Sequence, residues 1–188
     1  MMTVMTARSA TVPTPDGPFS VVVDGDAVLA SGWTADVASL VALVHPALRP
    51  DRAPGAEPAG VLADAVAAVE AYYAGDLAAP GTVWVQQRSG EFREHAWQVL
   101  RDVAPGEVVT YTEYAARSGR PDAVRAAAGA CAMNAAALFV PCHRVLRSDG
   151  FLGGFRYGLP VKESLLTRES ARGRHPVPGA LAGAGRLF

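Results

Sequence analysis

Apolar and polar residues change their period several times along the chain, and each change predicts an element. Phe19-Ser20-Val21-Val22-Val23 and Ala27-Val28-Leu29-Ala30 are apolar runs separated by Asp24-Gly25-Asp26. An Asp-Gly turn between two such runs predicts a β-hairpin inside a strand-and-turn region from Val12 to Trp33. Residues 1–10 carry no pattern and read as a frayed tail. Ala35 to His45 reads as a helix, and prolines at 46, 50, 54 and 58 make residues 46–58 a loop. Leu62, Ala65, Val66, Val69, Tyr72 and Tyr73 recur near helical spacing, which predicts a helix from Val61 to Tyr73 that stops at Gly75. Thr82 to Gln86 alternates and predicts one more strand, followed by an Arg88-Ser89-Gly90 linker.

Beyond the linker the pattern turns helical. Phe92, Ala96, Trp97 and Leu100 share one helix face, which ends before Pro105-Gly106. Thr110-x-x-Glu113 is a capping box and starts a helix that runs to about Ser118-Gly119. Pro121 suits the first turn of a further helix reaching about Met133. Two short helices joined through a glycine form either a helix-turn-helix or an ordinary αα-corner. Ala137-Leu138-Phe139-Val140 reads as a buried strand that runs into Pro141-Cys142-His143-Arg144-Val145. A loop with Gly150, Gly153, Gly154 and Gly158 follows, then a final helix from about Pro160 to Ser170. Residues 172–188 are rich in Gly, Pro and Ala and read as a loose tail.

Of the 188 residues, 50% are apolar and 19% charged, which places the chain among globular rather than disordered proteins. No stretch approaches the apolar length of a transmembrane helix, and no signal peptide is seen at the N-terminus. The net charge of −1 conceals a split. Residues 1–87 hold 3 Lys/Arg against 9 Asp/Glu, whereas residues 88–188 hold 14 against 9. That split suggests two modules with the second facing a polyanion; chance segregation onto solvated faces is the plainer account. The two cysteines, Cys131 and Cys142, fit free thiols in a reducing, cytoplasmic setting, with a disulfide between them as the alternative.

Cys142 is followed directly by His143. A thiolate is the nucleophile, and a nearby imidazole can take its proton, but strand neighbours do not face each other. The pair can act only if the chain bends there, as Pro141 permits; otherwise it is a core thiol beside an incidental histidine. No Cys-x-x-Cys or other zinc spacing is present, so no metal and no cofactor are expected. Arg125 stands on a helix of small residues, with Ala128, Gly129 and Ala132 at helical spacing on its face. Such a face allows close approach to another backbone with one long cation projecting; a tightly packed helix pair would look the same.

Taken together, these segments resemble the O6-alkylguanine-DNA alkyltransferases. Pro141-Cys142-His143-Arg144-Val145 matches that family's active-site motif. Gly106-Glu107-Val108-Val109-Thr110-Tyr111 is similar to the segment carrying its tyrosine, Arg125 falls at its arginine finger and Asn134 at its hinge asparagine. Leu152-Gly153-Gly154-Phe155-Arg156-Tyr157-Gly158-Leu159 resembles the bacterial substrate loop, and Lys162 to Glu169 the final helix. The N-terminal hairpin is similar with weaker motifs. The sequence departs from the family pattern at Ala135, where Pro is usual, at Ala128-Gly129 in place of Gly-Gly, and at Phe155 in place of Tyr.

The resemblance implies an α/β (α+β) chain: a small ribonuclease-H-like αβ domain over residues 9–88, then a helical domain with a helix-turn-helix over residues 89–171. It implies DNA repair by a monomer acting on double-stranded DNA that carries alkylated guanine, without membrane or metal. Cys142 would accept the alkyl group, with His143, Glu169, Tyr111 and Asn134 as catalytic partners. Arg125, Ala126, Ala128, Gly129 and Tyr111 would meet DNA in the minor groove. Val145, Phe155, Arg156 and Tyr157 would hold the flipped base. Three other classes compete: a non-reactive alkyltransferase-like binder, which lacks the acceptor cysteine; a cysteine hydrolase, which would turn over; and a helix-turn-helix regulator, which would read sequence in the major groove.

Overall fold

Strand β1 (Arg8–Thr14), β2 (Gly17–Asp24) and β3 (Ala27–Gly32) form an antiparallel sheet in the order β1-β2-β3 of the computed structural model, which describes residues 7–57 and 59–170. The predicted hairpin is β2–β3, in which Asp24 pairs with Ala27 and Gly25 takes a positive φ of 61°. Alternation along β2 sends Phe19, Val21 and Val23 to one face and Val22 to the other. Helix α2 (Val61–Ala74) covers the first face through Leu62, Ala65, Val69 and Tyr72. Helix α1 (Val37–Leu43), capped by Asp36, covers the second through Leu40. β3 is buried throughout because it is covered on both faces. α2 ends as expected at Gly75, in the left-handed region.

The later half carries α3 (Glu91–Arg101), α4 (Tyr111–Arg117), α5 (Val124–Ala132) and α6 (Leu159–Ser170). Two short parallel strands, β4 (Val109–Thr110) and β5 (Val145–Leu146), join this half internally. α3 buries Ala96, Trp97 and Leu100, and the Trp97 indole donates to the Ala130 carbonyl of α5 at 2.8 Å. The capping box at Thr110 and Glu113 is complete in both directions. Gly119, at φ +83°, turns the chain between α4 and α5. Mixed helix and strand agree with the expected α/β class.

Four local expectations need correction. Arg8 to Ala10 belong to β1 rather than to a frayed tail; residues 1–6, and the tail expected over 172–188, lie outside the described residues. Thr82 to Gln86 do not form a strand: Thr82 closes a 3-10 turn, and the segment meets β3 at a single bridge between Val28 and Val85. Pro121 precedes α5, in a turn closed by the Ala123 N–H on the Arg120 carbonyl; its fixed φ suits a turn as well as a helix start.

Ala137 to Val140 is buried but is not a strand. Leu138 has φ +74°, and the Val140 N–H closes back onto the Ala136 carbonyl. The segment is anchored by Ser31 of β3, whose N–H donates to the Ala135 carbonyl and whose hydroxyl donates to the Ala137 carbonyl at 2.7 Å. A short apolar run signals burial, and here the backbone is satisfied by scattered partners, Ser31 at Ala137, Arg101 at the Phe139 carbonyl and Asn134 at the Val140 carbonyl, instead of a ladder.

Candidate active site

The turn at Ala137–Val140 delivers Pro141 and then a single 3-10 turn, Cys142–Arg144. This bend lets adjacent side chains do different work. Cys142 faces a cavity of about 340 Å³, and His143 and Arg144 point into the protein, buried to 1% and 6% exposure. α5 supplies Ala128, Cys131 and Ala132 to the cavity wall, α4 supplies Tyr111, and the loop supplies Gly154, Phe155, Arg156 and Tyr157. A cavity of this size, apolar with a few convergent polar groups, is a small-ligand pocket by its physical character. Among the described residues no cluster of His, Cys, Asp and Glu is arranged to hold a metal, and no helix is long and apolar enough to cross a membrane.

Behind the cysteine lies a buried polar network centred on Glu169. Its Oε1 is met by His143 Nε2 at 2.8 Å and accepts from the Tyr72 hydroxyl and Arg144 Nη2, both at 3.0 Å. Its Oε2 accepts from Arg144 Nε at 2.9 Å, and Arg144 Nη1 donates to the Val103 carbonyl. Burial pushes the Glu169 carboxyl up, but His143 and Arg144 outweigh it and hold the group well below the usual carboxylate range. Glu169 therefore stays ionised and accepts the Nε2 proton of His143. That leaves His143 Nδ1, buried and without a partner among the described residues, as the basic nitrogen.

Burial raises the Cys142 thiol, against which Asn134 and Lys162 act. Asn134 Nδ2 donates to Cys142 Sγ at 3.2 Å and to the Val140 carbonyl at 2.8 Å. Lys162, fully buried, donates to the Val145 and Leu152 carbonyls. It thereby ties the loop to β5 and places a cation near both thiols. Cys131 and Cys142 are free, so the disulfide alternative does not hold. Burial lowers the His143 pKa and Glu169 opposes that, with a net downward shift. Tyr111 follows the Thr110 cap directly, and burial pushes its hydroxyl up to about 12, so it remains a proton donor at neutral pH.

Cys142, Tyr111, Asn134, Phe155, Arg156 and Tyr157 are brought to one cavity, with His143 and Glu169 directly behind. Val145 does not line the cavity; its side chain is buried and its carbonyl accepts from Lys162. Arg125 and Ala126 are exposed on α5, with Ala128 and Gly129 half-buried on the same helix. The loop is fastened to the sheet through aromatic packing: Trp33 lies 5.9 Å from Phe155 and 5.5 Å from Tyr157, ring centre to ring centre. Gly32 is required there, because a Cβ would overlap the Tyr157 ring. Sequence reasoning missed Tyr72, Arg144 and Lys162. Tyr72 sits at a core spacing, and nothing local marks a cation as buried.

A family model for the DNA-binding domain of 6-O-methylguanine DNA methyltransferase matches residues 91–171. The bifunctional transcriptional activator/DNA repair enzyme Ada of Escherichia coli (strain K12) is 46% identical over 91 residues, 48% of this chain and 26% of that protein. A methylated-DNA–protein-cysteine methyltransferase of Methanosarcina acetivorans is 40% identical over 103 residues, 55% of this chain and 65% of that protein. The chain thus spans less than two thirds of these curated relatives. The solved O6-methylguanine methyltransferase of Mycobacterium tuberculosis superposes with a TM-score of 0.69 at 28% identity, covering 91% of this chain and 96% of that one.

Proposed function

From the match of residues 91–171 to the 6-O-methylguanine DNA methyltransferase family model, we propose that this chain is a single-use DNA repair protein that moves the alkyl group of O6-alkylguanine onto its own Cys142. The observation that carries the reading is the line from Cys142 at the cavity to His143 and Glu169 behind it: a nucleophile, a base and a group that orients the base. The reaction forms a bond between Sγ and the alkyl carbon and breaks the bond from that carbon to guanine O6. The electron pair of the broken bond stays on the guanine. The thiol proton passes through a water to His143 Nδ1, whose positive charge Glu169 balances. Tyr111 donates a hydrogen bond to the departing guanine as negative charge develops there.

The target base has to leave the duplex to reach the cavity. Phe155 stacks on it and backbone groups of Arg156 read its edge, with Tyr157 closing the loop side; Val145, expected to share that reading, lies off the cavity with its N–H on the Cys142 carbonyl and its carbonyl on Lys162. α5 enters the minor groove on its small residues, Ala126, Ala128 and Gly129, and Arg125 fills the space the base leaves in the stack. One chain supplies every group, so the protein acts as a monomer, and its free thiols fit a reducing, cytoplasmic location. Residues 9–88 and 89–171 serve as scaffold and reactive module respectively.

The role of Arg125 separates duplex from free base. Arg125→Ala should slow repair of methylated duplex by roughly tenfold or more, because unstacking costs a few kcal/mol, while leaving reaction with free O6-benzylguanine nearly unchanged. Single-turnover rates on the two substrates decide it; an equal loss on both counts against the finger. The reading as a whole is tested by incubating the protein with a methylguanine duplex and weighing the intact chain.

A further inference from the structure

Gln87 lies outside the cavity, just after the bridge at Val85 and before α3. Its amide oxygen accepts from the Ala135 N–H at 2.8 Å, and its amide nitrogen donates to Asn134 Oδ1 at 2.9 Å. Asn134 then donates to Cys142 Sγ. The contacts run in one direction: Ala135 N–H to Gln87, Gln87 to Asn134, Asn134 to sulfur. A backbone N–H can only donate, so Gln87 must turn its oxygen to Ala135 and its NH₂ to Asn134. Asn134 is thereby left with its oxygen toward Gln87 and its NH₂ toward Cys142. The Ala136 N–H and the Val140 carbonyl demand the same orientation, so Gln87 reinforces a choice the backbone also makes. Hydrogen bonds in such a chain polarise one another, which strengthens the last donor.

We propose that Gln87 is a positioning residue for Cys142, which through Asn134 holds a hydrogen-bond donor on the sulfur and so favours its reactive thiolate form. Its bearing on repair rests on Cys142 being the alkyl acceptor; the coupling itself is read on the thiol. Ala135 is a necessary part, because a proline at that position has no N–H to orient Gln87. The other titratable groups near Cys142 are His143 next to it in the chain, Cys131 of α5, Tyr111 and Tyr114 of α4, Arg156 and Tyr157 of the loop, and Lys162 of α6. Substitution of Gln87 removes none of them.

The test is the pH profile of Cys142 carboxamidomethylation by iodoacetamide in the full chain, with peptide mass mapping to score Cys131 separately. Gln87→Leu removes both contacts; Gln87→Glu keeps the shape but sets a carboxylate oxygen against Asn134 Oδ1. Both should move the Cys142 midpoint to higher pH, and the loss of support for one hydrogen bond should slow alkylation at neutral pH by roughly threefold to tenfold. Gln87→Leu separates the lost donor from the effect of an added charge. In an Ala135→Pro background the effect of Gln87→Leu should shrink, since both act through one contact. A merely structural Gln87 would lower the melting temperature without moving the midpoint. An unmoved midpoint in the folded variants overturns the proposal; if Gln87→Leu does not fold, Gln87→Met, uncharged and close in shape, takes its place. If the unsubstituted chain takes no alkyl group from O6-benzylguanine while the variants still shift the midpoint, the repair reading falls and the coupling stands.

Discussion

Given an excess of methylated duplex, each molecule should take up one methyl group and then stop. Attack by Cys142 makes a thioether. Unlike the thioester of a cysteine hydrolase, a thioether has no good leaving group, and water does not cleave it. The titration should therefore show a burst of about one equivalent with no slow phase, and the intact mass should rise by one CH₂ per chain. Cys131 provides an internal control, because it also lines the cavity. Burial raises its thiol well above the usual value and the neighbouring Cys142 adds to that, whereas the Cys142 sulfur has the Asn134 donor. Peptide mapping should place the group on Cys142. Cys142→Ser should abolish transfer and leave duplex binding in place, since Arg125 and the exposed face of α5 are untouched. Turnover beyond one equivalent, or alkyl found on Cys131, would falsify the reading.

Glu169→Gln should be nearly as severe, for a different reason. The carboxylate takes hydrogen bonds from Tyr72, His143 and the Nε and Nη2 donors of the Arg144 guanidinium. An amide offers one oxygen and one NH₂ to these groups, and it leaves the Arg144 charge buried without its counter-charge. Breaking a buried pair from one side costs about 3–5 kcal/mol. At about 2–4 °C per kcal/mol for a chain of this size, the melting temperature should fall by on the order of 10 °C. Transfer should slow by about a hundredfold, the low end for losing a positioned acid–base group. The pH dependence has a definite sign. A carboxyl depressed in the native state gives stability that is present above its unfolded value, about 4.3, and is lost as pH falls through the native value. The unsubstituted protein should lose stability on acidification in that window, and Glu169→Gln should show a flatter acid limb. Melting curves across pH would reject the account if the two proteins shared one acid slope.

Elements with strong local signals were legible in the sequence: the Asp24-Gly25 turn, the Thr110–Glu113 capping box and the Gly75 stop all appear where the residues put them. Ala137 to Val140 misled because an apolar run reports burial, and only side chains far off in sequence, Ser31 and Arg101, together with Asn134 reveal that its backbone is satisfied without a strand. The same limit applies to the site. Cys142, His143 and Glu169 lie in recognisable motifs, so they could be named. Arg144 stood in the same motif, yet no neighbour in sequence shows that it turns inward to Glu169. Tyr72 was read correctly as core, and its hydroxyl partner lies 97 residues away. Gln87 fell between the alternating segment and the linker with no local signal of its own, and its two partners come after α3, α4 and α5 in the chain.

The ties between the two halves also set the order in which the protein can become competent. Ser31 must find Ala137 across 106 residues, Tyr157 must reach Ser31 across 126, and Tyr72 must meet Glu169 across 97. Contacts of such sequence separation pay their loop-closure entropy before they return any stability, so they form late. The hairpin and the helices, by contrast, are local and quick. On the proposed reading, the base that would activate Cys142 is not oriented during synthesis until Glu169 has emerged and folded back, so a nascent chain that already displays its cysteine should still be inert. On refolding from denaturant, reactivity toward O6-benzylguanine should lag behind the far-ultraviolet helical signal; simultaneous recovery of the two would show that the centre assembles without these long-range closures.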